Sequence, residues 1–137
     1  MVPLLVAELS SPACRRFWDD ADTVVSCRLL YVETAAALAQ AQRLGRLSTR
    51  THTACLRRLD DLWEQIDVVE VDEVLVHRAA ALASDLGLRG YDAVHCASAE
   101  QLNDPGLVAA AGDDQLLQAW HRLGIATFDP NTESGGD

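Results

Sequence analysis

Hydrophobic and polar positions follow two spacings along this chain, and the two spacings predict different elements. Apolar residues recur every third or fourth position in several stretches, which is the period of an amphipathic helix. This pattern predicts helices over residues 10–20, 28–44, 48–66, 72–86, 91–102 and 113–123. Compact apolar runs between them predict strands over residues 23–27, 67–71, 107–111 and 125–128. Strands separated by helices indicate an α/β fold, with a parallel sheet wrapped by helices.

Residues at the predicted helix ends support these boundaries. Ser48 and Asp72 are typical N-caps, and Gly45 is typical of the residue that follows a helix. The elements follow one another closely, and no linker or internal repeat interrupts them. We therefore expect a single domain over residues 1–130, followed by a loose polar tail over residues 131–137.

The composition is that of an ordinary globular protein with an acidic balance. The 137 residues are 49% hydrophobic and 23% charged, and 21 acids against 11 bases give a net charge of −10. That sign argues against a passive nucleic-acid coat, but a nuclease whose carboxylates bind metal ions remains compatible with it. No apolar run approaches the ~20 residues of a membrane span, and residues 1–8 lack the basic start of a signal peptide. Cys27 and Cys96 have apolar neighbours, so we expect reduced, buried thiols in a cytoplasmic protein.

The basic residues are all arginine, and five of the eleven lie close together in a predicted helical hairpin. We call this group the arginine cluster; its members are Arg43, Arg46, Arg50, Arg57 and Arg58. Two interpretations stay open for it. The cluster contacts phosphates of a nucleic-acid backbone, or it forms a solvated face with salt bridges to Asp60 and Asp61.

Three carboxylates fall where a parallel sheet collects functional residues, at the carboxyl ends of its strands. Glu33 lies in the second turn of the helix that leaves strand 23–27, on an apolar face where an unpaired charge is costly. Asp92 opens a helix, and Asp113 directly follows strand 107–111. Each has a simpler explanation. Asp92 and Asp113 are typical helix caps, and Glu33 is compatible with the rim of the fold.

Convergence of the three acids changes their interpretation, because like charges in one cleft repel each other. Mg²⁺ and Mn²⁺ prefer carboxylate oxygens and would remove that repulsion. Three neighbouring residues have open roles. We interpret Asp114 as an outer or solvated acid. His95 satisfies a backbone group or takes part in catalysis. Arg89 binds a phosphate or an acidic partner, or is a surface residue of a turn.

The residues around these acids are similar to a known family. Residues 88–99, LRGYDAVHCASA, closely resemble the LRGxDAxHxAxA stretch of PIN-domain proteins, in particular VapC-like toxins of bacterial toxin–antitoxin pairs. Residues 25–33 resemble the segment that brings the second acid of that family. Residues 110–117 resemble the TxDxxL segment, with Ala111 where a hydroxyl residue is usual. The similarity spans nearly the whole chain in order, and the stretch around Asp92 is its most specific part.

This resemblance implies a three-layer PIN-like fold and an Mg²⁺- or Mn²⁺-dependent endoribonuclease, the toxin of a VapBC-like pair. It implies that Glu33, Asp92 and Asp113 are three of four clustered acids, acting as catalytic residues and as metal ligands. It also implies an RNA substrate, a cognate VapB-like antitoxin and a homodimer, with no role for a membrane.

The fourth acid of the family pattern ends a first, central strand, and this sequence contains no such strand. Residues 1–8 resemble the helix that follows it. We therefore expect the first central strand and its Asp to be missing, through a start assigned too far downstream or through a truncated copy. The missing acid keeps a second function open, a catalytically inactive PIN-like module that binds an antitoxin or dimerises. A receiver-type phosphotransfer protein also uses clustered acids but needs a Lys, and this chain has none.

Overall fold

The computed structural model describes residues 1–6, 8 and 11–132 of the chain. The chain forms two compact units, Met1–Val68 and Val69–Asp137; the single domain over residues 1–130 stays a prediction. Of the predicted loose tail, residues 133–137 lie outside the described residues, while residues 131 and 132 form a turn whose backbone and side chain bond to Asp129. In the ranges just given, no helix is both long enough and apolar enough to cross a lipid bilayer.

The first unit is mostly helical and contains one two-stranded sheet. Its helices are α1 (Val2–Leu5), α2 (Ser11–Asp20), α3 (Leu29–Arg43) and α4 (Thr49–Trp63), and its strands are β1 (Val24–Cys27) and β2 (Ile66–Val69), of which the last residue falls in the second unit. Strands β1 and β2 are neighbours in the sheet. Side chains from both long helices and both strands form the buried core of this unit: Cys27, Leu38, Cys55, Leu59, Leu62 and Ile66.

Helices α3 and α4 form the predicted hairpin. Gly45 adopts a φ of +74°, a left-handed conformation that glycine reaches without steric cost, and this turns the chain after α3. Ser48 then caps α4, because its Oγ accepts a hydrogen bond of 3.0 Å from the backbone N–H of Thr51. At the other end of the hairpin, the Tyr31 ring lies edge-on to Trp63 with centroids 5.5 Å apart. The two helices are therefore joined at both ends.

The predicted helix over residues 48–66 is too long. Helix α4 ends at Trp63, and Ile66 begins β2 as a buried residue. The apolar position of Ile66 fits the helical period, but residues 66–69 also form a run rich in β-branched residues, which favours a strand. Burial of Ile66 and Val69 in β2 decides between the two periods.

The second unit contains three helices and a parallel pair of strands. Its elements are α5 (Glu73–Leu86), α6 (Gly90–Leu102), β3 (Val108–Ala110), α7 (Asp114–Arg122) and β4 (Ala126–Phe128). Strands β3 and β4 pair in parallel, with Val108 opposite Ala126 and Ala110 opposite Phe128. Helix α5 packs on α6, and α7 packs on both strands. The buried side chains of this unit include Leu75, Leu82, Cys96, Ala109, Leu116 and Trp120.

Parallel strands connected through helices confirm the predicted α/β class. Most predicted boundaries agree with the observed elements to within one or two residues. The three-layer arrangement and the missing first strand stay predictions. Cys27 and Cys96 are buried, as predicted, and no disulfide joins any of the four cysteines, all of which lie within the described residues. Burial, with Glu100 as a second cause, raises the pKa of the Cys96 thiol to about 11, so this thiol is unreactive near neutral pH.

An ion pair joins α5 to α6 in the second unit. Arg78 donates two hydrogen bonds to the carboxylate of Glu100, from Nε to Oε1 at 2.6 Å and from Nη2 to Oε2 at 2.7 Å. Two parallel bonds of this length are the strong geometry for an arginine and a carboxylate. These hydrogen bonds lower the pKa of Glu100 below its ordinary value.

The lowered pKa of Glu100 predicts a pH-dependent effect on stability. A carboxyl group whose pKa is lower in the folded chain stabilises that chain above its ordinary pKa, and the stabilisation disappears as pH falls through the lower, folded pKa. Both side chains are partly exposed, so the effect is modest. We expect Glu100→Gln to lower the melting temperature by about 2 °C at pH 7, and we expect this difference to disappear as pH falls through the lowered pKa of Glu100. Thermal unfolding of the wild-type chain and of Glu100→Gln, over a pH series from neutral to acidic, measures the difference in melting temperature. A difference that does not depend on pH would contradict the lowered pKa of Glu100.

Candidate active site

Two of the three predicted acids lie together in the second unit, and one arginine connects them. Arg89 Nε lies 3.3 Å from Asp92 Oδ2, and Arg89 Nη2 lies 3.4 Å from Asp113 Oδ2. The guanidinium group therefore faces one oxygen of each carboxylate. The Asp92 side chain is 18% exposed, that of Asp113 38% and that of Arg89 77%, so the acids lie deeper than the arginine.

Local structure fixes Asp113 in this position. Asp113 is the N-cap of α7, and its Oδ1 accepts a hydrogen bond of 3.1 Å from the backbone N–H of Leu116. The simpler explanation of this residue as a cap is thus confirmed for one carboxylate oxygen. The second oxygen, Oδ2, is turned toward Arg89. Capping and a role in a charged site are therefore compatible in one side chain.

Asp92 differs, because α6 begins earlier than predicted. The helix starts at Gly90, its N-cap is Arg89, and Asp92 lies in the first turn. The backbone of Arg89 is held at this point, since its carbonyl accepts a hydrogen bond of 2.8 Å from the N–H of Ala93. A carboxylate in the first turn is favoured by the helix dipole. The interpretation of Asp92 as an N-cap is wrong, and its charge faces the Arg89 guanidinium.

The third predicted acid belongs to the other unit. Glu33 lies in the second turn of α3, half-buried beside the buried Thr34. The structure brings Asp92 and Asp113 together, whereas the convergence of Glu33 with them stays a prediction.

Asp114, the first residue of α7, is exposed, and His95 is half-buried on α6. Among the described residues, no group of three or more His, Cys, Asp and Glu side chains is arranged to hold a metal ion.

The bridging contact of Arg89 is the feature that the sequence alone left open. The chain pattern placed Arg89 in a turn and allowed either a phosphate or an acidic partner. The structure shows acidic partners, one three residues away and the other 24 residues away. The spacing to Asp92 was a usable signal, since residues three apart meet at a helix start. The contact with Asp113 depends on how α6 and α7 pack and has no local signal.

This geometry fits a cation between the two carboxylates. One positively charged group already lies within 3.4 Å of an oxygen from each acid. Carboxylate oxygens are the ligands that Mg²⁺ and Mn²⁺ prefer, and Mg²⁺ usually takes one or two from the protein and keeps several waters. Asp92 and Asp113 are therefore a donor set that suits a hard divalent cation.

The arginine cluster lies on the α3–α4 hairpin of the first unit, and all five of its side chains are exposed. Within the part of the chain that the structure describes, none of them forms an ion pair. The salt bridges predicted to Asp60 and Asp61 are therefore wrong for these residues. Asp60 instead accepts a hydrogen bond of 2.7 Å from the Tyr31 hydroxyl, and this contact raises the pKa of Tyr31.

Comparison with known proteins agrees with the motifs around the acids. Residues 5–119 match the PIN domain. The chain is 39% identical over 133 residues to Ribonuclease VapC45 of Mycobacterium tuberculosis (strain CDC 1551 / Oshkosh), which covers 94% of this chain and 92% of that protein. The same identity and coverage hold for Ribonuclease VapC49 of Mycobacterium tuberculosis (strain ATCC 25618 / H37Rv). The match spans both units and all three predicted acids, and the chain belongs to the PIN domain family.

Proposed function

We propose that this protein is a metal-dependent endoribonuclease and the toxin component of a VapBC-like toxin–antitoxin system, acting in the cytoplasm. The observation that carries the proposal is the pair formed by Asp92 and Asp113, whose carboxylates share one cationic group. Two VapC relatives that carry the name ribonuclease support the choice of reaction and substrate. The reaction is hydrolysis of an RNA phosphodiester bond.

Each acid has a distinct part in this proposal. Asp92 and Asp113 would hold Mg²⁺ or Mn²⁺, and Glu33 would be the third ligand, directly or through water. A bound divalent ion supplies an activated water and neutralises charge on the scissile phosphate. The N-cap bond from Leu116 to Asp113 Oδ1 limits rotation of this carboxylate, so Oδ2 stays turned toward the position that the Arg89 guanidinium occupies. The low exposure of Asp92 limits competition from bulk water.

The RNA backbone requires positive charge outside the acidic site, because the chain as a whole is strongly acidic. The arginine cluster supplies it. Its five guanidinium groups are exposed and free of ion pairs among the described residues, so they are available to phosphates. Arginine suits this task, since its planar guanidinium forms paired hydrogen bonds with phosphate oxygens.

The proposed protein partners are a small antitoxin and a second copy of the chain. A small antitoxin would insert an arginine between the carboxylates, where Arg89 shows that a guanidinium group fits. We also propose that the toxin forms a homodimer. Size-exclusion chromatography, with and without a co-encoded small protein, tests both partners. A chain that stays monomeric and does not bind that protein would count against both proposals.

Removal of metal tests the proposed reaction directly. The purified chain is incubated with a fluorescently labelled RNA in about 1 mM Mn²⁺, in Mg²⁺ and in excess EDTA. We expect cleavage with either ion and none with EDTA, and we expect Mn²⁺ to raise the melting temperature because it binds only the folded chain. Cleavage that survives EDTA would exclude the metal mechanism. No cleavage and no stabilisation by Mn²⁺ would favour the inactive, partner-binding module.

A further inference from the structure

We propose that Arg89 is a built-in substitute for the divalent cation, and that its guanidinium leaves the two carboxylates when a metal ion binds and then contacts the RNA phosphate. This inference rests on the proposed function. It adds a role for Arg89, which is not one of the predicted metal ligands. It concerns one side chain with two alternative partners, the acids and the substrate.

The geometry of Arg89 is that of an exchangeable contact. Its two contacts to carboxylate oxygens measure 3.3 and 3.4 Å, whereas well-formed bonds between a guanidinium and a carboxylate measure about 2.7–2.9 Å. The side chain is 77% exposed, so packing does not hold it in place. Charge and two long hydrogen bonds keep the guanidinium between the acids, and a small ion of higher charge can displace it.

A second arginine in the same unit shows what a permanent pair looks like here. Arg78 bonds Glu100 at 2.6 and 2.7 Å, and its side chain is 46% exposed. The two arginines have the same chemistry and face carboxylates in the same unit. Arg78 is built to hold two helices together, while Arg89 bridges its acids loosely.

The backbone around Arg89 is fixed, whereas its side chain is exposed. Leu88, the preceding residue, is 7% exposed, and the Arg89 carbonyl is bonded to the first turn of α6. The Cα of Arg89 therefore stays beside the acids in any state of the side chain. A guanidinium released there would remain within reach of a phosphate held beside the two acids, where it would stabilise negative charge.

The acids need a cation in both states. Asp113 cannot rotate away without losing its cap bond to Leu116, and Asp92 is largely enclosed. Two carboxylates held near each other without a cation repel, which destabilises the chain. Arg89 removes this repulsion in the metal-free protein. It therefore competes with the metal ion for the same two carboxylates.

Titration of the 137-residue chain with Mn²⁺ by calorimetry, without RNA, tests whether Arg89 and the metal ion compete for the two acids. We expect Arg89→Gln to bind Mn²⁺ about threefold to tenfold more tightly than wild type, because two weak exposed pairs no longer compete. Arg78→Gln is the matched control, since it removes the same charge from the same unit, and we expect its affinity to change less than twofold. Arg122→Gln replaces that control if Arg78→Gln does not fold by circular dichroism.

RNA cleavage at saturating Mn²⁺ tests the second part of the proposal, the contact between Arg89 and the RNA phosphate. We expect Arg89→Gln to cleave at least tenfold more slowly despite its tighter metal binding, and Arg89→Lys to recover part of the rate. Unchanged or weaker Mn²⁺ affinity in Arg89→Gln, or no Mn²⁺ binding by either protein, overturns the substitution of metal by Arg89. Undiminished cleavage by Arg89→Gln overturns the phosphate contact. Because Mn²⁺ affinity is measured without RNA, a chain that binds the ion but cuts no RNA refutes the proposed reaction and leaves the competition result standing.

Discussion

Asp92→Asn should lower the rate of Mn²⁺-dependent RNA cleavage by at least two orders of magnitude. The substitution keeps the size and shape of the side chain but removes the negative charge that holds the cation. Loss of one charged ligand from a site with few protein ligands weakens metal binding and misplaces the activated water, and each ~1.4 kcal/mol of lost transition-state stabilisation costs tenfold in rate. Initial rates on a labelled RNA, measured over a range of Mn²⁺ concentrations, give the effect.

Asp113→Asn tests the charge of Asp113 in the site while the helix cap is kept. Asparagine caps helices as well as aspartate does, so α7 should keep its first turn and the chain its melting temperature. We expect cleavage to fall as strongly as in Asp92→Asn, because only the charge on the site changes. Asp114→Asn is the matched control, since this acid is adjacent, exposed and outside the proposed site. Equal losses in Asp113→Asn and Asp114→Asn would indicate a general charge effect and would remove Asp113 from the site.

Most element boundaries are predictable from the sequence because they depend on local chemistry. Asp72 was predicted to cap a helix, and its Oδ1 accepts a hydrogen bond of 2.9 Å from the N–H of Leu75. Gly45 was predicted to follow a helix, and it has the left-handed conformation that such a position requires. In both cases a residue and its neighbours three or four positions away contain all the information.

The features that escape prediction depend on contacts between distant parts of the chain. Ile66 fits both a helical and a strand period, and only its burial in β2 decides between them. Asp60 was a plausible partner for the arginine cluster, but Tyr31, 29 residues away, takes its carboxylate. The bridge from Arg89 to Asp113 likewise spans 24 residues. Pattern analysis identifies the candidate acids and bases, while the packing of helices decides which of them meet.

The convergence of Asp92 with Asp113 was inferred from topology, and the contact of both with Arg89 supports that part of the inference. Glu33 was placed by the same argument together with the family resemblance. Its role is tested by Glu33→Gln in the cleavage assay used for Asp92→Asn, where a rate close to wild type would exclude it as a ligand. The topological rule about strand ends applies to any parallel sheet, so it locates an edge and not the individual ligands.

Neutralising the arginine cluster should weaken RNA binding by about 100-fold at ~0.1 M salt. The variant combines Arg46→Gln, Arg50→Gln and Arg57→Gln. Arg50 and Arg57 are two helical turns apart on α4, and both side chains are exposed opposite the buried Cys55 and Leu59. For single-stranded RNA, each lost phosphate contact lowers the slope of log K against log salt concentration by about 0.7, so three contacts lower it by about 2.

Binding is measured in the Asp92→Asn background, so that the RNA stays intact during a titration by fluorescence anisotropy. The matched control removes three arginines outside the cluster, Arg15, Arg16 and Arg122, and leaves the net charge equal to that of the test variant. If the proposal holds, the cluster variant loses both affinity and salt dependence, while the control changes affinity less than about threefold, because unlocalised charge acts only through screened, long-range attraction. Equal losses in the two variants would show that net charge, and not this hairpin, attracts the RNA. A cluster variant that binds normally would place the phosphate contacts elsewhere, without affecting the role of the acids.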